Sequence, residues 1–156
     1  ELEPLFRDNY NRLLRGKDSD SKVFTNTDPV LIYDVLDISA TIPNARFIFI
    51  KRNPYDNALK ILLKYYRVGK DYSYDLREAW KHIHWYHEMI DLLVDRLPNI
   101  SILTSYEEVA ANPEAMISRV ADFCGLDGLN VPVRPLENDA AIGLPYRQIM
   151  DAELRT

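Results

Sequence analysis

The spacing of apolar positions switches between helical and strand-like along the chain, and the order of the switches predicts the fold. Leu2, Leu5, Phe6, Tyr10, Leu13 and Leu14 recur at helical spacing before Gly16, so a helix is expected over residues 2–15, followed by a polar linker at 17–21. Lys22 to Thr25 reads as a short strand. In Asn26-Thr27-Asp28-Pro29, Asp28 is placed to cap a helix and Pro29 to open it, and that helix is expected to reach about Thr41. Arg46-Phe47-Ile48-Phe49-Ile50-Lys51 is the strongest strand signal. Its four central residues show no polar alternation, as in a strand covered on both faces. Helices are then predicted from Pro54 to about Tyr66, with a stop near Gly69, and from about Tyr74 to Arg96, with a stop before Pro98.

Ser101 to Thr104 reads as a second buried strand, and Ser105 with Glu108 three residues on matches a capping box. A helix opening at Asn112-Pro113-Glu114 puts Met116, Ile117, Val120 and Phe123 on one face and stops at Gly125. Leu126 to Pro145 is loop-like, and a short helix closes the chain. Strands alternating with helices predict an α/β layer with parallel strands and right-handed crossovers.

Composition narrows this picture. A chain of 156 residues, 47% hydrophobic, supports one cored domain over 1–156 and is too short for two. A net charge of −5 argues against a general nucleic-acid binder, which needs a basic stripe to displace counterions, so any anion site must be built locally. Cys124 is the single cysteine, which excludes an intrachain disulfide and a cysteine zinc site and fits a reducing, cytoplasmic setting. There is no membrane-length apolar run, and Glu1-Leu2-Glu3 lacks the pattern of a signal segment. A soluble chain is expected, and the missing initial methionine reads as processing or truncation.

The candidate chemistry lies after the first strong strand, in Arg52-x-Pro54-x-Asp56-x-x-x-Lys60. An arginine between a strand and a helix N-terminus can grip phosphate, because the guanidinium fork matches phosphate oxygens and the helix end adds N–H donors and positive potential. Lys60 and Lys64 are one turn apart and can face the same side. The plainer alternatives are an Arg52–Asp56 ion pair and a solvated lysine face.

Pro43 to Asp56 resembles the 3′-phosphate-binding motif of sulfotransferases that use 3′-phosphoadenosine-5′-phosphosulfate (PAPS). The likeness is greatest to tyrosylprotein sulfotransferases and to bacterial sulfotransferases linked to tetratricopeptide repeats. Two further blocks fall in register over residues 22–126. One is Asn26-Thr27-Asp28-Pro29. The other is Leu103 to Val109 with Asn112-Pro113-Glu114 and Phe123-Cys124-Gly125-Leu126. The resemblance implies a P-loop-NTPase-like α/β fold and a cofactor site in which Arg52 binds the 3′-phosphate. Lys60 stands where the family has a phosphate-binding serine, Lys64 where it has a second arginine, and Tyr106 where a tyrosine reaches the cofactor.

The chain also departs from the pattern. The family's Gly-rich loop for the 5′-phosphosulfate has no counterpart at Gly16, Gly69, Gly125, Gly128 or Gly143, so the resemblance places that loop before residue 1. Thr27 replaces a lysine that contacts the transferring sulfonate, a loss on the order of 3 kcal/mol in transition-state stabilisation. The basic Gly-containing loop that closes over the nucleotide is reduced to Ile142-Gly143-Leu144-Pro145-Tyr146-Arg147, with Arg147 its one cation.

Other candidates read more plainly. Tyr106 is by itself a packing residue at a strand end. Among His82, His84 and His87 only the last two share a helix face, at about 100° per residue, which disfavours a metal site. Trp80, Ile83, Trp85, Tyr86, Met89, Ile90, Leu93 and Val94 form a packing surface. The sequon Asn99-Ile100-Ser101 leads into a buried strand. His84, His87 and Glu88 have base chemistry, but no motif assigns any of them as catalytic.

The expectation is therefore sulfonate transfer from PAPS to a hydroxyl or amine acceptor, leaving adenosine 3′,5′-bisphosphate, with this chain supplying the 3′-phosphate site. The alternative is a degenerate module kept for nucleotide or protein binding. A P-loop kinase-like fragment would need a glycine-lysine loop that is absent.

Overall fold

The computed structural model describes residues 23, 25–64, 71–126 and 141–155. The chain divides into two compact units, Glu1–Ala45 and Arg46–Thr156. The helix expected over 2–15 and the linker after it lie outside the described residues. Of the strand expected at Lys22–Thr25, Val23 and Thr25 are in no strand, and Lys22 and Phe24 lie outside the described residues.

In the first unit Asp28 caps as expected, its Oδ1 accepting the Val30 N–H at 3.1 Å, with Pro29 in the first turn. The helix it starts is a 3-10 turn, Pro29–Tyr33, and the α-helix α1 spans Val35–Thr41. The single helix expected here is broken at Asp34. That residue sits at φ −106° and ψ 3°, outside the α region, and its N–H closes a three-residue turn on Leu31. Ile32, Val35 and Thr41 are the buried residues of this segment.

The second unit is built on two parallel strands, β1 (Phe47–Lys51) and β2 (Ser101–Ser105), paired from Phe47↔Ser101 to Lys51↔Ser105. Parallel neighbours require a crossover, and α2 (Pro54–Leu63), a 3-10 turn at Asp71–Tyr74 and α3 (Leu76–Arg96) supply it. Helix α3 starts later than expected, because Asp75 caps it by accepting the Glu78 N–H at 3.0 Å. Its inner face carries Ala79, Ile83, Ile90 and Leu93, all buried. The helix α2 stops at Leu63, short of the expected Tyr66, because Lys64 leaves the helical region at ψ 124°. The expected stop near Gly69 lies outside the described residues.

β1 is not covered on both faces. Phe47, Phe49 and Lys51 are half-buried on the side of α3, where Lys51 Nζ pairs with Asp91, whereas Ile48 and Ile50 are 39% and 53% exposed. On that second face the described residues of β1 are open, whereas Thr104 of β2, paired with Ile50, is buried.

Helix α4 (Tyr106–Ala111) follows β2 directly, and α5 (Pro113–Cys124) is capped by Asn112 and ends at Gly125 in the left-handed conformation, φ 65°. Met116, Ile117, Val120 and Phe123 are half-buried along it. Most of the predicted loop, 127–140, lies outside the described residues. A 3-10 turn, Leu144–Tyr146, then leads into α6 (Arg147–Arg155), which packs on α3. The mixed helix and strand architecture, with a parallel sheet flanked by helices, is the expected α/β class.

The capping box at α4 is complete. The Glu108 N–H donates to Ser105 Oγ at 3.1 Å, and the Ser105 N–H donates to Glu108 Oε2 at 3.2 Å. A hydrogen bond from Thr104 Oγ1, then that of the Ser105 backbone, holds the Glu108 carboxyl below its ordinary pKa. The stability this contributes is fully present above the ordinary glutamate pKa and is lost as the pH falls through the lowered one. Ser105→Ala is expected to cost about 1 kcal/mol in urea denaturation at neutral pH, and Thr104→Val, which removes the largest cause of the lowered pKa, should show a gap to wild type that narrows on acidification. A gap that is constant with pH would contradict the coupling.

Candidate functional site

The parallel register decides what meets at the carboxyl edge of the sheet. Lys51 pairs with Ser105, so the next residue of each strand, Arg52 and Tyr106, emerge side by side. The Arg52 guanidinium carbon lies 4.3 Å from the centre of the Tyr106 ring, and the guanidinium Nε is shielded from solvent. The ring face attracts the cation and holds the guanidinium plane in one orientation. Tyr106 thus buttresses Arg52, a role that neither residue reveals in the sequence.

Both strands turn directly into helices, and one side chain ties the two turns together. Glu107 Oε1, in the first turn of α4, accepts the Asn53 N–H at 2.9 Å, while Asn53 Oδ1 accepts the Tyr55 N–H at 3.0 Å. The N–H donors that the helix start was expected to offer a phosphate are therefore taken at Asn53 and Tyr55, and Pro54 has none. The positive charge at this edge is carried by side chains.

Those side chains line one open cleft of about 670 Å³. Arg52 and Tyr106 form one wall. Asn57, Lys60 and Ile61, at helical spacing on α2, form another with Leu63, Lys64 and Ile142. All four residues singled out from the sequence for cofactor binding, Arg52, Lys60, Lys64 and Tyr106, border the same space. Among the described residues that line it, three carry positive charge and none negative, in a chain of net charge −5. An anion entering this cleft meets local positive potential against the net sign of the protein.

The C-terminal segment reaches the cleft through Asp56. That carboxylate is buried, its Oδ2 accepting the Ala141 N–H and its Oδ1 the Gly143 N–H, each at 2.6 Å. Tyr55 Oη donates to Asp151 at 2.7 Å, a bond that with burial raises the tyrosine pKa. Arg147 lies over the Tyr55 ring at 5.0 Å and 3.9 Å from Asp151, and it is not among the cleft residues. The closing segment contributes Ile142 in its place. Asp56 near the start of a helix looked like an ion-pair partner for Arg52. Its role as an acceptor for backbone 85 and 87 residues away carries no local signal.

The histidines separate by face. His82 stacks on Tyr72 at 3.7 Å between ring centres, whereas His84 and His87 lie 6.5 Å apart. His84 Nδ1 is 2.9 Å from the Trp80 carbonyl, so it carries the proton and Nε2 is the basic nitrogen. Glu88 is exposed on α3. Among the described residues no group of three His, Cys, Asp or Glu is placed to hold a metal, and no helix is long and apolar enough to cross a membrane.

Residues 2–130 match the model of the Sulfotransferase family. The chain belongs to that family. No curated protein and no solved structure matches it. The matched span contains β1, β2, the Arg52–Tyr106 pair and both lysines, so every cleft residue except Ile142 falls within the sulfotransferase region. The Asn26–Pro29 block also lies in it, with Thr27 exposed in a turn where Asn26 Oδ1 accepts the Asp28 N–H at 2.9 Å.

His87 offers a test of this end of the sheet. Burial first, then the charges of Lys51 and His84, push its pKa below the ordinary value, against smaller opposite effects of Asp91 and Glu107. Its neutral form is favoured in the fold, so the contribution to stability is present above the unfolded pKa and lost as the pH falls through the folded one. Thermal melts from about pH 7.5 to about pH 5 should show wild type losing stability more steeply than His87→Gln. Parallel slopes would show that His87 titrates alike in both states.

Proposed function

We propose that the cleft binds the 3′-phosphate end of PAPS and that the chain serves sulfonate transfer from PAPS to a hydroxyl or amine acceptor. The observation that carries this reading is that Arg52, Tyr106, Lys60 and Lys64, taken from separate parts of the sequence, line one cleft with an all-cationic charge set. A phosphate dianion suits it. The oriented Arg52 fork offers paired N–H bonds, and the two lysines add mobile point charges. Ile61, Leu63 and Ile142 provide apolar surface beside the cations, as a nucleoside phosphate needs and a bare ion does not.

In the transfer itself the acceptor oxygen or nitrogen attacks sulfur in line as the bond from sulfur to the bridging phosphate oxygen breaks. Adenosine 3′,5′-bisphosphate leaves with the electron pair, and the acceptor proton passes to a base. Holding the 3′-phosphate fixes the donor for that displacement, so the cleft acts through positioning. One observation favours the second reading, a nucleotide-binding module without transfer: Thr27 stands where the resemblance expects a lysine, removing a charge from the sulfonate.

Calorimetric titration with adenosine 3′,5′-bisphosphate should show binding that weakens with salt. Arg52→Ala should lower the affinity by at least about tenfold, the worth of one charged hydrogen bond. Lys60→Ala and Lys64→Ala should each cost less. A folded Arg52→Ala protein that binds as tightly as wild type would sink the reading, and turnover of PAPS would separate the enzyme from the silent module.

A further inference from the structure

Helix α2 has two jobs on two sides. Toward the cleft it presents Asn57 and Lys60, next to Arg52. Toward the C-terminal segment it presents Tyr55 and Asp56. Asp56 is 1% exposed and takes the N–H groups of Ala141 and Gly143, each at 2.6 Å. Between those two donors stands Ile142, which lines the cleft.

The loop cannot sit elsewhere without losing these contacts. Ala141 is at φ 67°, a left-handed conformation that an alanine adopts only when its surroundings hold it there. Gly143 lies so close to α2 that a Cβ would stand 2.5 Å from the Tyr55 carbonyl carbon and 2.7 Å from the Asp56 nitrogen, both of them backbone atoms. Downstream, the Tyr55–Asp151 hydrogen bond and Arg77, which donates to the Glu153 carbonyl at 3.0 Å, anchor α6.

We infer that Ile142 is a specificity-determining wall of the cleft and that Asp56 is the positioning residue that latches it there, so that the nucleoside part of a ligand is recognised as well as its phosphate. This rests on the phosphate reading of the cleft. The cations Arg52, Lys60 and Lys64 satisfy a phosphate and do not discriminate what it is attached to. A ribose and base present apolar faces that gain only where they are covered, in proportion to the area removed from water. Ile142 lies 82 residues beyond Lys60 in the chain and is brought beside the cleft by the loop that Asp56 holds.

The test compares adenosine 3′,5′-bisphosphate with inorganic pyrophosphate by calorimetry on the full chain and on Ile142→Ala, Asp56→Asn and Gly143→Ala. Hydrogen exchange is followed at residues 141–155 and along α3. Ile142→Ala should weaken the nucleotide by about tenfold, leave pyrophosphate unchanged and keep the Ala141 and Gly143 amides protected. Asp56→Asn and Gly143→Ala attack the latch from opposite sides. Each should lose the same nucleotide preference, with fast exchange at 141–143 and α3 still protected. If one of them loses protection throughout α3, the other two variants decide.

An unchanged ratio of the two affinities in Ile142→Ala overturns the wall while the anion site stands. Full nucleotide preference in a latch variant with fast exchange at 141–143 overturns the role of Asp56. Wild-type protein that binds neither probe overturns the phosphate reading and the wall with it.

Discussion

The in-register parallel pairing of Phe47–Lys51 with Ser101–Ser105 is the constraint on which the site depends. Parallel strands bring their carboxyl ends to the same edge, and equal registration makes Arg52 and Tyr106 the first residues past it on neighbouring strands. A slip of one residue would move Tyr106 away from the guanidinium and turn each side chain of one strand to the opposite face. The capping box at Ser105 and Glu108 helps to hold the register, because it starts α4 immediately at the strand end and leaves no slack. Glu107 then joins the two turns by accepting the Asn53 N–H, so the edge behaves as one piece.

The cleft gathers three cations in an acidic protein. Keeping like charges close is unfavourable, and the arrangement persists because the rest of the unit sets it up at low cost. Lys60 and Lys64 are on flexible stems at and just past the end of α2, and Arg52 rests against an aromatic face that offsets part of its desolvation. Such a site gains most when a multivalent anion fills it.

Asp56 joins this site to the end of the chain. A buried carboxylate is costly unless its oxygens are satisfied, and here two backbone N–H groups of one short loop satisfy them. The same contacts oblige that loop to lie against α2, where Gly143 has no room for a side chain. Tyr55, Asp151 and Arg147 extend the attachment along α6, so the helix that carries Lys60 also carries the C-terminal segment.

The sequence by itself determined the local elements. Asp28, Asn112 and Ser105 with Glu108 marked helix starts, Gly125 marked a helix end, and two apolar runs marked the strands, because capping, turn and burial preferences act over a few residues. It also named Arg52, Lys60, Lys64 and Tyr106, through a family resemblance carried by short motifs. It misjudged what depends on neighbours. The break at Asp34, the early end of α2 and the exposed Ile48 and Ile50 are not encoded in the spacing of apolar residues. Only the tertiary structure decided that the four residues border one space, that Tyr106 supports Arg52, and that Asp56 serves a loop 85 residues away. Those relations are set by which strands pair and which helix covers them, and they exist only once the chain has closed on itself.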